Sequence, residues 1–142
     1  MIQHFPTKNT WALVLLSIFT YFVYPAHYVK RLTARLNEEP SQAPKISVGL
    51  VWAILLFSYL SLLLLIGYMA VDEHHPVAII SNIADRICGI LFIVWAFSAR
   101  SRIHALLESR KGSPQWFHGF WTFVFNVFYV NFKLARLKKQ SA

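Results

Sequence analysis

Asp85 and Arg86 stand side by side in Val77–Phe97, a stretch that is otherwise apolar or small except for Asn82. Ionisable side chains in such a run are costly to bury in a bilayer and by default point to an ion path or a buried pairing site. On a helix, Asn82 lies three positions before Asp85 and four before Arg86, close enough to join a polar cluster. Adjacent residues do not face one another, so Asp85 and Arg86 need different partners. Asn82, Asp85 and Arg86 form the candidate polar site. A second reading places both charges near an interface, paired with headgroups or with the loop before them. A proton relay would need further acids, and no other carboxylate lies in an apolar segment.

The remaining reactive side chains suggest less. Asp72, Glu73, His74 and His75 form a DEHH cluster that could hold Zn²⁺ or Cu²⁺ only weakly, since such ions need a third or fourth ligand. A solvated loop accounts for it more simply. His27 and His118 lie near the ends of apolar segments and could in principle bracket a haem, although interfacial hydrogen bonding explains both. His104 sits in a basic stretch. Cys88, the single cysteine, excludes an internal disulfide and a thiolate zinc site, and its apolar surroundings suggest packing. No G-x-S-x-G, H-E-x-x-H, P-loop or G-x-G-x-x-G motif occurs. The expectation is a non-enzymatic chain with no metal and no cofactor.

The elements that would carry these residues follow from composition. Of 142 residues, 56% are hydrophobic, 16% aromatic and only 14% charged, with 14 Lys+Arg against 6 Asp+Glu. That excludes a disordered chain and is too apolar for an ordinary soluble domain. The fold class expected is all-α: a polytopic integral membrane protein of three to four transmembrane helices, in one domain covering residues 1–142. A span needs roughly 20 apolar residues. Val48–Ala70 supplies 23 without a charge, and Trp11–Val29 supplies 19, with Pro25 predicted to kink or break the helix near its end. Val77–Phe97 is long enough despite its two charges. Trp116–Phe132 is 17 residues long and nine of them are aromatic, so it spans, re-enters or lies along the surface.

Basic amphipathic extensions follow the apolar runs. Lys30, Arg31, Arg35, Arg100, Arg102, Lys133 and Arg136 form a belt suited to anionic lipid headgroups, each contributing about 1 kcal/mol near the surface. Plain positive-inside anchoring, without a specific ligand, explains the same residues. By that rule, loops 30–47 and 98–115 face the cytoplasm, while loop 71–77, with no Lys or Arg, faces the periplasm. Charge spread along membrane flanks argues against nucleic acid as a partner. A spanning fourth segment would put the basic tail on the wrong side, which favours a re-entrant or interfacial fourth segment, or else a strained four-span topology.

Phe19–Leu36 and Phe120–Leu137 echo each other at an offset of 101, with eight identities in 18 pairs, including Tyr28/Tyr129, Val29/Val130 and Arg35/Arg136. Either the match is chance in an aromatic-rich chain, or an aromatic segment running into a basic helix occurs twice. Ser17–Asn37, SIFTYFVYPAHYVKRLTARLN, resembles the opening motif of a domain-of-unknown-function family of small bacterial polytopic membrane proteins: an apolar run, a Tyr-Pro break, an aromatic, then a basic helix ending in Leu-Asn. Thr122–Leu137 resembles a closing motif of such proteins, with Asn126 where Gly is expected. The resemblance implies a multi-pass protein of the bacterial inner membrane and brings no catalytic residues. The function expected is an accessory or scaffold component packing against a larger membrane complex or against itself. The alternative is a homo-oligomeric channel or small carrier using Asp85, Arg86 and Asn82 as its polar path.

Overall fold

A computed structural model describes residues 2–141 as an all-α chain: a short 3-10 turn at Ile2–His4, then α1 (Thr10–Thr20), α2 (Val23–Glu38), α3 (Val48–Tyr68), α4 (Pro76–Leu107) and α5 (Gly119–Ser141). Two of the five, α3 and α4, are long and apolar enough to cross a membrane. They pair as an antiparallel hairpin through a short turn, in which His75 caps α4 by accepting from the Val77 amide and Pro76 starts the first turn. Gly67 lies beside the Val77 side chain at its mouth. The buried residues of α4, Ala84, Cys88, Phe92, Trp95, Ala99, Arg102 and Ile103, recur at three- and four-residue spacings and form one inward stripe.

The first apolar segment is not one kinked span. It is two helices separated by Tyr21 and Phe22, both left-handed at φ 49° and 69°. The break falls four residues before Pro25 because the proline ring collides with the carbonyl of residue i−4, which is Tyr21, and removes the bond it would accept. Pro25 itself sits in the first turn of α2. At 11 residues, α1 is about 16 Å long, too short for a hydrocarbon core of about 30 Å.

After the break the chain folds back. Lys8 Nζ donates to Tyr24 Oη at 2.8 Å. A straight helix would set those two residues about 24 Å apart, beyond the reach of both side chains. The last helix does the same. Asn126, at φ 35° and ψ −113°, interrupts α5. Beyond it Tyr129 returns to bond the His118 amide at 3.1 Å and set its ring 5.9 Å from that of Phe117. The two hairpins meet at their open ends, where Asn131 Oδ1 accepts from the Lys8 amide and Asn131 Nδ2 donates to the Lys8 carbonyl.

The fold expresses the echo in outline, although the breaks are out of register: Tyr21 and Phe22 correspond to Thr122 and Phe123, which are helical. The offset of 101 pairs Pro25 with Asn126, and the buried residues Ala26, Val29, Thr33 and Leu36 with Val127, Val130, Leu134 and Leu137, which are buried as well. Each unit is an apolar half-helix, a break, and an amphipathic helix carrying cations. Trp95 is packed at the centre with its indole N–H donated to Thr33 Oγ1 at 2.8 Å, so a large buried ring keeps its polar atom satisfied.

Candidate functional site

The three residues expected to cluster do not. Asn82 and Arg86 are exposed on the outer side of α4, while Asp85 turns inward. No ion pair joins Asp85 to Arg86, and the Arg35–Glu38 contact at 3.2 Å is the only salt bridge among the described residues. The physical reason is helical geometry: consecutive residues project about 100° apart, so only one of the pair can face the interior.

Asp85 meets the tips of both hairpins. Its Oδ2 accepts from Tyr21 Oη at 2.6 Å, at the first break. Its Oδ1 is buried without a hydrogen-bond partner. Beside it lies a cavity of about 180 Å³ bordered by Phe22 of the first tip, Asn126, Val127 and Phe128 of the second, Ser61 of α3, and Asp85, Cys88, Gly89 and Phe92 of α4. Ser61 is 1% exposed and its hydroxyl also has no partner. Cys88 lies 3.5 Å from Ser58 Oγ across the α3–α4 contact, which fits a packing role. Asn126 Oδ1 accepts from the Val127 amide at 2.6 Å and so caps the second half of α5. Two strained helix breaks and two orphaned oxygens thus share one small chamber. Neither Tyr21, Phe22 nor Ser61 stands out in the sequence by residue type, whereas Asn126 occupies a position where Gly is expected and lies opposite Pro25 in the echo.

The basic belt is uneven. Lys30, Arg31 and Arg35 are exposed along α2, with Lys30 Nζ 4.9 Å from the centre of the Trp52 ring. Arg136 is exposed on α5. Lys133 is half-buried, and burial together with Arg136 holds its amine below the usual lysine range. Arg100 is partly withdrawn: its Nε donates to the Phe117 carbonyl at 2.7 Å and its guanidinium lies over the Trp116 ring.

Arg102 is a correction. It is 1% exposed and cannot meet a headgroup. Its three nitrogens donate to the carbonyls of Leu36, Ala43 and Glu39 at 2.6, 2.6 and 2.7 Å. Those carbonyls close the C-terminal end of α2 and the connector after it, where partial negative charge gathers. Arg102 is a structural clamp rather than a lipid ligand.

His104 holds the loop after α4. Its Nε2 accepts from the Phe117 amide at 2.8 Å, and its ring stacks on Trp116 with centroids 4.3 Å apart. Burial first, and then the neighbouring Arg100 charge, push its imidazole down to about 4, so the ring is neutral near pH 7 and its nitrogen can accept. His27 Nε2 lies 2.7 Å from Tyr59 Oη, and His118 Nδ1 accepts from the Phe120 amide. Asp72, Glu73, His74 and His75 are all exposed on the turn between α3 and α4. Among the described residues, no three His, Cys, Asp or Glu side chains converge on a possible metal position.

The chain belongs to the family described as domain of unknown function DUF4234, whose model matches residues 8–105. The match takes in the first hairpin, α3 and most of α4, including Ser61 and Asp85, and α5 lies beyond it. No curated protein matches the chain, and no solved structure does.

Proposed function

We propose that this chain is a multi-pass integral membrane protein without catalytic activity, an accessory or scaffold component that packs against a larger membrane assembly or against a second copy of itself. The observation that carries the membrane reading is the direction in which the long helices turn their side chains. Only 28% of the most apolar window of α3, and of α4, is buried. The core helix of a soluble protein would be mostly covered. Here Trp52, Leu56, Leu63 and Ile66 on α3, and Ile79, Ile83 and Ile90 on α4, remain more than half exposed. Water would be a poor solvent for so continuous an apolar surface, and lipid a good one.

In this reading α3 and α4 span, and the two broken units are re-entrant hairpins entering from one side. Non-helical backbone is tolerated at membrane depth only where protein or a cavity surrounds it, and both breaks meet that condition. The exposed cations of α2 and of α5 then share the cytoplasmic leaflet, and the turn carrying Asp72 and Glu73 faces the other side. This removes the conflict between the basic tail and the charge rule. Alkaline-carbonate washing followed by native mass spectrometry of the detergent-extracted chain tests the proposal. Retention in the membrane fraction and a stoichiometric complex, with a partner or with itself, is expected. Release by carbonate, or a lone monomer, overturns it.

The alternative of a channel or small carrier draws on one observation, the inward Asp85 at the meeting point of two helix breaks. A path through Asn82 and Arg86 has no support, because both point outward. Flux into proteoliposomes that is lost in Asp85→Asn would favour transport.

A further inference from the structure

We propose that the chamber at the tips of the two hairpins is a binding site for a small protonated amine, with the ammonium group held by Asp85 Oδ1 and Ser61 Oγ and the carbon skeleton against Phe22, Phe92 and Phe128. The inference rests on the membrane reading for the depth of the chamber and is independent of whether the chain works alone or within a larger assembly.

The first argument is hydrogen-bond accounting. Buried polar groups are nearly always paired, so two exceptions that meet at one cavity call for an explanation. Asp85 Oδ1 and Ser61 Oγ are both buried, both unpartnered, and both border the same cavity. Among the described residues two other buried hydroxyls also lack a partner, those of Tyr28 and Ser113, but neither residue borders a cavity shared with another orphan, and all three nitrogens of Arg102, the Trp95 indole and the Asn131 amide are paired.

The second argument is chemical class. A carboxylate with a free oxygen disfavours anions and selects a donor carrying positive charge. A bare alkali ion would need several more oxygens than the two unpartnered ones here, whereas the rest of the lining is largely apolar and includes three phenyl rings, those of Phe22, Phe92 and Phe128. An ammonium has three N–H donors and is attracted to aromatic faces, and mostly apolar walls with a few convergent polar groups are the usual make-up of an organic ligand site. A volume of about 180 Å³ admits roughly six water-sized groups, enough for an amine of three to five carbons.

The third argument is architecture. Asp85 is the tenth residue of α4, about 14 Å along the helix, near the midplane of a core about 30 Å thick. Interrupted helices from repeated units converging on a midplane chamber are a recurrent way to build an intramembrane site. The backbone at Tyr21, Phe22 and Asn126 accepts unfavourable torsions where the chamber forms.

The test uses the purified full chain in detergent. Thermal unfolding and calorimetric titration are run with butylammonium chloride, with sodium and potassium chloride at equal ionic strength, and with butanol. Saturable stabilisation by butylammonium, beyond that of the salts or the alcohol, is expected. Asp85→Asn should abolish it, and Ser61→Ala, which removes only a hydroxyl, should weaken binding about 3- to 10-fold. Asn82→Ala should leave it unchanged. Absence of saturable binding, equal effects of butanol or sodium ions, or binding that survives undiminished in Ser61→Ala and in a folded Asp85→Asn protein overturns the assignment.

Discussion

Tyr21 donates its hydroxyl to Asp85 Oδ2 across 2.6 Å and 64 positions of sequence, tying the strained tip of the first hairpin to the one inward-facing acid of the long fourth helix. The contact joins a backbone event to an electrostatic one. Pro25 breaks the helix a turn earlier, the break releases Tyr21 from helical geometry, and the phenol reaches a carboxyl group that would otherwise be buried with neither oxygen paired. The breaks of both echoed segments meet here, since Asn126 and Phe128 of the second tip border the same cavity as Asp85.

Arg102 provides the clearest prediction about stability. Replacing it with Met fills similar volume but leaves three carbonyls, at the end of α2 and in the connector after it, without this donor. Unfolding of Arg102→Met in detergent should show a loss of about 3 kcal/mol or more. Arg102→Lys should recover only part of it, because a single ammonium cannot span the three carbonyls. A change within about 0.5 kcal/mol, the ordinary range for surface sites, would contradict the clamp.

His104 predicts a pH dependence. The folded ring titrates at about 4, below its usual 6.5, so between those values the unfolded chain binds the proton more readily. The stability it contributes is complete above pH 6.5 and is lost progressively as pH falls toward 4. Chemical unfolding of the wild-type chain and of His104→Gln from pH 7.5 to 4.5 checks this. The decline should be shallower in the variant, and identical slopes would contradict the account.

Asn126 separates strain from side-chain bonding. Its φ of 35° suits glycine far better than a residue with a Cβ. Asn126→Gly gives up the cap on the Val127 amide yet relieves the backbone, and should leave stability within about 0.5 kcal/mol of the parent. Asn126→Ala loses the cap and keeps the strain, and should cost about 1–2 kcal/mol. Equal unfolding midpoints for the two variants would contradict the break.

The sequence made some of this legible and hid the rest for physical reasons. Val48–Ala70 reads directly as α3, because an uncharged run of that length has few other fates. Val77–Phe97 reads as a helix, and the following run with Ile103, Leu106 and Leu107 on one face reads as helical too, but the partners of Arg100, Arg102 and His104 that hold the two as one helix come only from the fold. Pro25 signals the split of the first segment, and the break lies one turn before it, since the clash falls on the i−4 carbonyl rather than on the proline. Asp85 stands out in the sequence as a charge in an apolar run, and the structure turns it inward onto Tyr21. Its separation from Arg86 follows from helical projection, but which of the two turns inward depends on Tyr21 and the cavity. The burial of Arg102 had no local signal: its three acceptors lie 59 to 66 positions away.

The central claim is that both broken units fold back, so that the connector after α2 and the tail after α5 lie on one side of the membrane and the turn between α3 and α4 on the other. Single cysteines at Gln42, Gln140 and His74, placed one at a time in a Cys88→Ser background, can be reacted with an impermeant maleimide in sealed vesicles of known orientation. The account predicts that Gln42 and Gln140 positions label together and that the His74 position labels only from the opposite face. Labelling of the Gln140 position together with that of His74 would mean that the last helix crosses, and would contradict the paired re-entrant hairpins.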